Sequence, residues 1–358
     1  MDTHSRMDEV EAVYDARIRG ACLVAARSRS RMHLHAGCWV TACAYEPARL
    51  LVAFPKEFEA AEMVQQSGSF AVSLVAEDQA ELLAAMMDGR HSLDQLGREH
   101  FLLTPGGCPV LRDGVGYVDC QLIEAMDLGD VLLAVGDVRA AAVLHPDKHN
   151  LTVNTIQAGV EAGPALLPFS GFEDGGHDLP LAPAAGADGE ALERVYARRQ
   201  WGLFAVTAGL DPDPPQQVSG WAIQCGHSPP RMAVAVPRGV PTEMGIRRSG
   251  TFSLSLLAED HLPWALALSA AGGMSTDKAV PAGGRAASGT PIVADGIAHF
   301  ACRVDGEFNA AADCAGFYGT VEAFGWGRRE ARPLCQDQLS AAREAAALRR
   351  IGRSTTPA

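Results

Sequence analysis

One segment of this chain occurs twice, and the repeat limits its fold more than any other feature. SGSFAVSLVAED begins at Ser67, and SGTFSLSLLAED begins at Ser249, 182 positions later. The same spacing aligns CPVLRDGVGYVDCQL from Cys108 with TPIVADGIAHFACRV from Thr290. Because a single register holds from about residue 11 to 122, the chain is predicted to contain two copies of one domain. The unit is too long for a solenoid repeat.

The duplication sets the predicted domain boundaries. We place a first, more diverged copy at residues 8–145 and a second copy at 190–330. Residues 146–189 are rich in Gly and Pro and lack a sustained period, which is typical of a linker. Residues 331–358 lie outside the repeat and carry a polar-faced helical pattern, so we expect a C-terminal helix and tail that pack on a domain or on a partner chain.

Within one copy the hydrophobic pattern changes from helical to strand-like. EVEAVYDARIRG and ALERVYARRQWG have apolar residues at helical spacing and end at Gly, which predicts a short opening helix in each copy. The remainder consists of about six short β-rich runs separated by Gly, Pro and Asp, with two small helices between them. Alternating βαβ units are missing, so the pattern favours a small antiparallel barrel.

Charge and cysteine content exclude several classes of function. The chain has 30 Lys and Arg against 43 Asp and Glu, a net charge of −13. A surface that binds nucleic acid or an anionic membrane needs a dominant basic face, so neither partner is expected. Nine scattered cysteines do not resemble a disulfide framework, and no stretch of eighteen apolar residues is present. We therefore expect a cytoplasmic protein.

The second copy resembles the flavin reductase-like family, the FMN-binding split barrels. The resemblance rests on FAVTAG, VSGWAIQCGHSPPRMAVAVP, SGTFSLSLLAED, STDKA, SGTPIVADG and FYGTVEAF, in that order. The first copy is similar through GCWVTACAYEPARLLVAFP and SGSFAVSLVAEDQAELL. The resemblance implies a mainly β chain of two six-stranded antiparallel Greek-key split barrels with short flanking helices.

The resemblance also implies where a flavin binds. FMN has a flat apolar ring with a polar edge and a phosphate, so it needs backbone N–H groups, hydroxyls and a cation. In the second copy the ring-side positions are Ser219, Gly220, Trp221, Gln224, Cys225 and Gly226, and the phosphate-side positions are Arg238, Thr242 and Lys278. In the first copy the corresponding positions include Trp39, Thr41 and Lys56. No residue is assigned a catalytic role, because hydride transfer needs no side-chain proton donor.

Several of these residues also have structural interpretations. Trp39 and Trp221 share a register, so both suit a barrel wall as well as a ring contact. Cysteines at the aligned positions 43 and 225 are expected to be small buried residues, because neither has a second cysteine at metal-ligand spacing. His33 and His35 should face one side of a strand. A metal site there is the less favoured reading, so none is assigned.

These features predict a flavin-dependent oxidoreductase, an NAD(P)H:FMN reductase or its FAD equivalent. The nicotinamide would be a transient co-substrate, and reduced flavin or electrons would pass to a partner monooxygenase or another acceptor. The alternative is a non-catalytic flavin- or haem-binding or structural split-barrel protein. Split barrels of this family usually pair, so the two copies are expected to form an intramolecular pseudo-dimer, with a homodimer of chains as a further arrangement. If one copy alone binds flavin, the second is favoured.

Overall fold

The structure is a computed structural model of the whole chain. It describes residues 20–28, 31–37, 39–87, 96–152, 179–183, 186–199, 201–209, 214–270 and 283–354. The opening helix predicted for the first copy and the predicted phosphate ligand Lys278 lie outside these ranges.

The strands fall into two equivalent sets. Those of the first half are β1 (Cys22–Arg27), β2 (Met32–Gly37), β3 (Val40–Tyr45), β4 (Ala48–Pro55), β5 (Ser69–Leu74), β6 (Phe101–Leu103), β7 (Pro109–Leu111), β8 (Gly116–Asp127) and β9 (Val131–Val143). Those of the second half are β10 (Phe204–Ala208), β11 (Gln216–Ser219), β12 (Ala222–His227), β13 (Pro230–Pro237), β14 (Thr251–Leu256), β15 (Gly283–Arg285), β16 (Pro291–Val293), β17 (Ala298–Phe308) and β18 (Cys314–Trp326).

Short helices connect the strands. The α-helices are α1 (Glu59–Ser67), α2 (Ala80–Met87), α3 (Gly189–Tyr196), α4 (Pro241–Ser249), α5 (Leu262–Ala270) and α6 (Gln336–Ser354). Single 3-10 turns occur at Glu77–Gln79, Arg98–His100 and Glu259–His261. In the described part of the chain, no helix is both long enough and apolar enough to cross a membrane.

Each half forms a seven-stranded antiparallel sheet. The strand orders are β2-β1-β5-β8-β9-β4-β3 and β11-β10-β14-β17-β18-β13-β12. Strands β5, β8 and β9 are adjacent and β4 returns beside β9, which is a Greek-key arrangement. The predicted mainly β fold is confirmed. Each sheet has seven strands and not six. In the second half, β11 and β12 on either side of Trp221 were not among the predicted runs, and the predicted run TPIVADG forms β16 in a separate two-stranded sheet.

The pairing registers confirm the duplication. Cys22 pairs with Gly37 in the first half, and Phe204 pairs with Ser219 in the second, so both positions move by the same 182 residues. After the β17–β18 turn the shift becomes 183, because Gly116 pairs with Val143 while Ala298 pairs with Trp326. A single inserted residue in that turn therefore separates two otherwise identical pairing patterns.

The repeated Ser-Gly pair ends a helix and starts a strand in both halves. Gly68 and Gly250 have φ angles of 67° and 66°, and each N–H donates to a carbonyl of the preceding helix. A left-handed residue of this kind ends a helix, and glycine adopts it without steric cost. The motif that revealed the duplication is thus a helix stop placed directly before the barrel strands β5 and β14.

The edge strands determine where each barrel closes. Strands β11 and β12 lie at opposite edges of their sheet, yet they are separated in the chain by Gly220 and Trp221 alone. Three Cα–Cα steps span at most about 11 Å, so the two edges must meet at these residues. The first half has the same arrangement between β2 and β3. The sheet therefore closes at the segment in which the sequence predicted ring contacts.

The two halves pack against each other through a buried apolar cluster. Along β4, Leu50, Val52 and Phe54 face the interior of their own barrel, while Leu51 and Ala53 contact the other half. Side chains alternate along a strand, so one fully buried strand serves two cores. The second half contributes Trp201, Ile223, Cys225, Ala233, Ala235, Phe308, Ala310, Ala311 and Cys314 to this cluster.

Two equivalent arginines join the halves at the edge of the cluster. Arg49 Nη1 donates to Ala310 O at 3.0 Å, and Arg231 Nη1 donates to Leu128 O at 2.7 Å. These four positions are related by the duplication, so the contacts are symmetric. Arg231 also pairs with Asp305 at 3.3 Å. Charge-assisted hydrogen bonds in partly buried sites are the stronger ones in proteins.

Replacing Arg231 by alanine is expected to destabilise the chain by about 2 kcal/mol, because a partly buried carbonyl loses a charged hydrogen-bond donor. The Arg231 side chain is 17% exposed and donates to Leu128 O, whereas Asp305 keeps its contacts with Thr320 and Arg303. Urea unfolding measures the change. Arg194→Ala is the control, since its pair with Glu190 is 59% exposed on the arginine side and should contribute about 0.5 kcal/mol at most. Equal effects of both substitutions would contradict the role of Arg231.

The segment between the repeats contacts the first half. Tyr117 donates its hydroxyl to Pro183 O at 2.5 Å, and Ala182 N–H donates to Leu103 O at 2.7 Å. Helix α3, which was predicted to open the second copy, buries its apolar face in the core of the first half instead. Helix α6 packs on the second half, where Leu339 joins a cluster with Leu203, Ala205, Leu257, Ala265, Val293 and Leu334.

Candidate functional site

A cavity of about 340 Å³ lies at the closure point of the second barrel. Its walls come from the end of β3, from helices α3, α5 and α6, and from the second barrel. The lining residues are Tyr45, Glu193, Tyr196, Trp201, Leu203, Gln217, Val218, Ser219, Gly220, Trp221, Ala235, Pro237, Val240, Leu268, Gln336, Leu339 and Arg343. Pockets for small ligands begin at about 300 Å³, so the cavity has a suitable size for a small aromatic group.

Three predicted ring-side residues line this cavity. Ser219 ends β11 and accepts a hydrogen bond from Trp221 N–H at 3.0 Å, which fixes the turn between the two edge strands. At Gly220 a Cβ atom would lie 3.3 Å from both Gln336 Oε1 and Leu203 Cδ2. The missing side chain therefore lets the backbone form one side of the cavity.

Aromatic rings form much of the remaining wall. Trp201 is 2% exposed, and the ring of Trp221 meets Tyr45 of the first half edge-on at a centroid distance of 5.2 Å. An edge-to-face pair at this distance is a favourable arrangement for two rings. The first half therefore contributes a side chain to the cavity of the second.

The aromatic contact between the halves is symmetric. Trp39, the equivalent of Trp221, lies 4.6 Å from the ring of His227, the equivalent of Tyr45. Trp39 is 4% exposed and belongs to the cluster between the halves. Both tryptophans therefore have a structural role at the barrel wall, and Trp221 has in addition a face on the cavity.

A buried arginine lies behind the aromatic wall. The Arg199 guanidinium is centred 3.9 Å from the ring of Trp201, and Nη1 donates to Tyr196 Oη at 2.6 Å and to Val40 O. Arg199 is 1% exposed. It connects helix α3, the start of the second barrel and strand β3, so it links three of the elements that line the cavity.

Burial changes the acidity of the phenols that line the cavity. The pKa of Tyr45 is raised above its ordinary value, mainly because the ring is buried, and partly because Tyr196 and Glu193 lie nearby. Burial also raises the pKa of Tyr196. Both hydroxyls are therefore neutral at physiological pH and act as hydrogen-bonding groups, not as anions.

The other ring-side candidates lie within strand β12 and do not line the cavity. Gln224 is 1% exposed, and its Nε2 lies 3.3 Å from His227 Nδ1. Cys225 is fully buried in the cluster between the halves, and burial raises the pKa of its thiol. Gly226 occupies an irregularity in the β12–β13 ladder, where a Cβ atom would lie 3.1 Å from Pro229 O. Cys43, the equivalent of Cys225, is buried as well.

The phosphate-side candidates Arg238 and Thr242 of the second half are not among the residues that line the cavity. The side-chain Nε of Arg238 donates to Ala311 O at 3.4 Å, and the backbone N–H of Arg238 donates to Asp313 O at 2.6 Å. Thr242 lies in the first turn of α4 and is 0% exposed, and its hydroxyl has no hydrogen-bond partner in the described part of the structure. The cavity reaches Pro237 and Val240, which flank Arg238 and precede this turn.

The first-half candidates are engaged in protein contacts. Thr41 Oγ1 donates to Gly220 O at 3.2 Å, so it supports the cavity segment of the second half. Lys56 Nζ contacts both oxygens of Asp127, at 2.9 and 2.8 Å. This hydrogen bond lowers the pKa of Asp127. Lys56 therefore stabilises the turn after β8, and its charge is already paired.

Larger rings occupy the equivalent of the cavity in the first half. Phe58 stands where Val240 lines the cavity, and His35 stands where Gln217 does. Their ring centroids are 5.5 Å apart, and both side chains are at most 3% exposed. His33, on the same face of β2 as His35, lies 6.1 Å from the ring of Phe58. Side chains of the protein thus fill space that the second half leaves open at these positions.

Sequence reasoning missed the parts of the cavity that come from distant segments. Tyr45 lay in the predicted first copy, α3 was assigned to the opening of the second copy, and α6 lay outside the repeat. No periodicity connects these segments. Trp201 offered a weak signal, since it follows helix α3 directly, but nothing in the sequence placed it opposite Trp221.

Comparison with known proteins identifies the family to which this chain belongs. The model of the flavin reductase like domain matches residues 17–159 and 200–340, which together exceed half of the chain. The chain therefore belongs to the flavin reductase-like domain family, and it contains that domain twice.

Individual relatives resemble about one copy each. The actinorhodin polyketide dimerase of Streptomyces coelicolor is 30% identical over 125 residues, which cover 35% of this chain and 70% of that protein. HsaB, the reductase subunit of a flavin-dependent monooxygenase from Rhodococcus jostii, is 26% identical over 120 residues, or 34% of this chain and 60% of that subunit.

Two further similarities cover a small part of the relative or have a low TM-score. Putative diflavin flavoprotein A 4 of Synechocystis is 27% identical over 114 residues, and this chain spans 19% of its length. Among solved structures, the flavin reductase component BorF of a bacterial two-component tryptophan halogenase aligns with a TM-score of 0.38 and 20% identity, over 46% of this chain and 98% of BorF.

Proposed function

We propose that this protein is a flavin-dependent oxidoreductase that uses NAD(P)H to reduce FMN or FAD in the cavity of its second half. The reduced flavin, or its electrons, then passes to a partner monooxygenase or another acceptor. The observation that carries the proposal is the position of the cavity, which lies at the strand junction Ser219–Trp221 of a barrel that belongs to the flavin reductase-like family. The name of the relative HsaB supports a monooxygenase as the acceptor.

The cavity residues fit a flavin ring. Trp221 and Trp201 offer flat apolar rings and Leu203 a further apolar contact, while Ser219 and the backbone at Gly220 offer polar groups to a ring edge. A flavin held by these residues would supply the redox chemistry between the nicotinamide and the acceptor. The protein's part is to bind and orient the ring and to exclude water from it.

The first half serves as a scaffold in this proposal. Phe58 and His35 fill positions that are open in the second half, and Lys56 is paired with Asp127. Its contributions to the site are Tyr45 on the cavity wall and the hydrogen bond from Thr41 to Gly220 O. The two halves thus form one site together, with the packing that separate subunits would otherwise provide.

The proposal is tested by titrating the purified chain with FMN and with FAD, followed by NADH and NADPH oxidation. Quenching of flavin fluorescence at micromolar concentration together with nicotinamide oxidation supports it. Flavin binding without oxidation would favour the non-catalytic binding protein. Failure to bind either flavin at micromolar concentration would overturn both the reductase and the flavin-binding alternative, and would leave a haem-binding or structural protein.

The scaffold role predicts a stoichiometry of one flavin per chain. The double variant Phe58→Val/His35→Gln introduces the residues of the second half and is expected to raise the stoichiometry above one, because it removes the two rings that fill the equivalent site. Equilibrium dialysis measures the ratio, and Phe101→Leu, a change in a separate buried cluster of the same half, is the control. Two flavins on the unmodified chain would contradict the prediction.

A further inference from the structure

Helix α6 forms one wall of the cavity although it lies outside the duplicated unit. Gln336, Leu339 and Arg343 all line the cavity. Residues three, four and seven apart share one face of an α-helix, so a single face of α6 is turned toward the ligand space. Leu339 is 2% exposed and anchors this face on the second half. The position of Arg343 is therefore set by a packed helix and not by a loose tail.

Arg343 is a cation without a carboxylate or carbonyl partner in the described part of the structure. Two arginines at the contact between the halves form ion pairs, Arg231 with Asp305 and Arg49 with Asp137. Glu193 lines the same cavity but makes no ion pair with Arg343. The guanidinium acts on Tyr45 across the cavity, where its charge opposes the effect of burial on the phenol's pKa.

The cavity therefore has an aromatic, apolar part and a cationic group. Trp201, Trp221 and Leu203 form the apolar part, and Arg343 extends the lining along α6. A planar guanidinium binds phosphate oxygens through two parallel hydrogen bonds, which gives both energy and orientation. A ligand with a flat aromatic group and a phosphate matches this distribution of groups.

We propose that Arg343 binds a phosphate group of the ligand whose aromatic part occupies the cavity. The inference rests on the proposed function and adds a specificity-determining residue from a helix that the repeat lacks. The phosphate belongs either to the flavin or to the nicotinamide dinucleotide. Both are phosphate esters, so the experiment has one arm for each source.

The test compares Arg343→Gln with Arg343→Lys, and with Arg332→Gln as the control for loss of one exposed positive charge ahead of α6. If the phosphate is the flavin's, Arg343→Gln weakens FMN binding about tenfold and riboflavin binding less than about twofold. If it is the dinucleotide's, FMN affinity is unchanged and the KM for NADH or NADPH rises about tenfold. Arg343→Lys restores part of the loss in either case, because it keeps the charge.

The inference is overturned if Arg343→Gln and Arg332→Gln behave alike in both arms. Two fluorescent probes that are not flavins distinguish failure of this inference from failure of the proposed function. If the unmodified chain binds no flavin, the anionic 8-anilinonaphthalene-1-sulfonate is compared with the uncharged N-phenyl-1-naphthylamine. A preference for the anion that is lost in Arg343→Gln keeps the anion site while the flavin function fails. Equal binding of the two probes to a chain that binds no flavin overturns both the anion site at Arg343 and the flavin function.

Discussion

Replacing Gly220 by leucine is expected to abolish flavin binding while leaving the chain folded. A Cβ atom at this position would lie 3.3 Å from Gln336 Oε1 and from Leu203 Cδ2, and 3.8 Å from Trp201 Cδ1. The remaining atoms of a leucine side chain would then occupy the cavity between helix α6 and the aromatic wall. We expect the Kd for FMN to rise by more than about 100-fold, equivalent to a loss of about 2.7 kcal/mol. Titration of flavin fluorescence measures it.

Gly283→Leu is the matched control for this substitution. A Cβ atom at Gly283 has no heavy atom within 4 Å, and the residue lies on the exposed strand β15. Circular dichroism and urea unfolding should show that both variants are folded. An unchanged Kd in folded Gly220→Leu would place the flavin elsewhere in the chain.

The second large effect concerns acid stability. His33 and His35 are 1% and 2% exposed, and their pKa values are lowered from 6.5 to about 4 and about 3. Burial is the main cause for both; Glu59 partly offsets it at His33, and the nearby His33 adds to it at His35. Both imidazoles are neutral in the folded chain at neutral pH. The buried pair therefore resists protonation that the unfolded chain accepts.

The lowered pKa values of the two histidines determine how the free energy of unfolding changes with pH. Well above pH 6.5 both imidazoles are neutral in the folded and in the unfolded chain, so their full contribution to stability is present. As the pH falls from 6.5 toward 4, the unfolded chain takes up protons that the folded chain does not, and the free energy of unfolding decreases. The loss down to about pH 4.5 should be on the order of 2 kcal/mol per histidine.

The variant His33→Gln/His35→Gln is expected to lose most of this acid sensitivity, because glutamine does not titrate. Urea unfolding at a series of pH values between 4.5 and 7, on the order of one measurement per half unit, gives the slope. His149→Gln, at an exposed position of the same half, should keep the slope of the unmodified chain. A slope that survives in the double variant would assign the acid sensitivity to carboxylates instead.

Much of the fold could be predicted because the duplication is local and collinear. The Ser-Gly motif predicts a helix stop and a strand start wherever it occurs, and both copies show it at Gly68 and Gly250. The extra strand β11 escaped prediction because QQVS is polar. Its pairing with β10 and the packing of the barrel, not its own propensity, make it a strand.

The candidate site could be predicted only in part. Ser219, Gly220 and Trp221 line the cavity because the barrel must close where two edge strands are joined by two residues. Gln224, Cys225 and Gly226 follow in the same motif but lie further along β12, where Cys225 packs between the halves and Gln224 is buried beside His227. A motif gives the order of residues along the chain, whereas the cavity depends on which faces of the strands are covered.

By itself, the amino-acid order predicted that two copies of one β domain follow each other, which family they resemble, and that Ser219, Gly220 and Trp221 face a ligand. Those properties depend on spacing along the chain, which duplication preserves. Only the tertiary structure decided that Tyr45, helix α3 and helix α6 complete the site, and that Phe58 and His35 fill its counterpart. The physical reason is that these contacts join segments far apart in sequence, and packing across the two halves, not local pattern, brings them together.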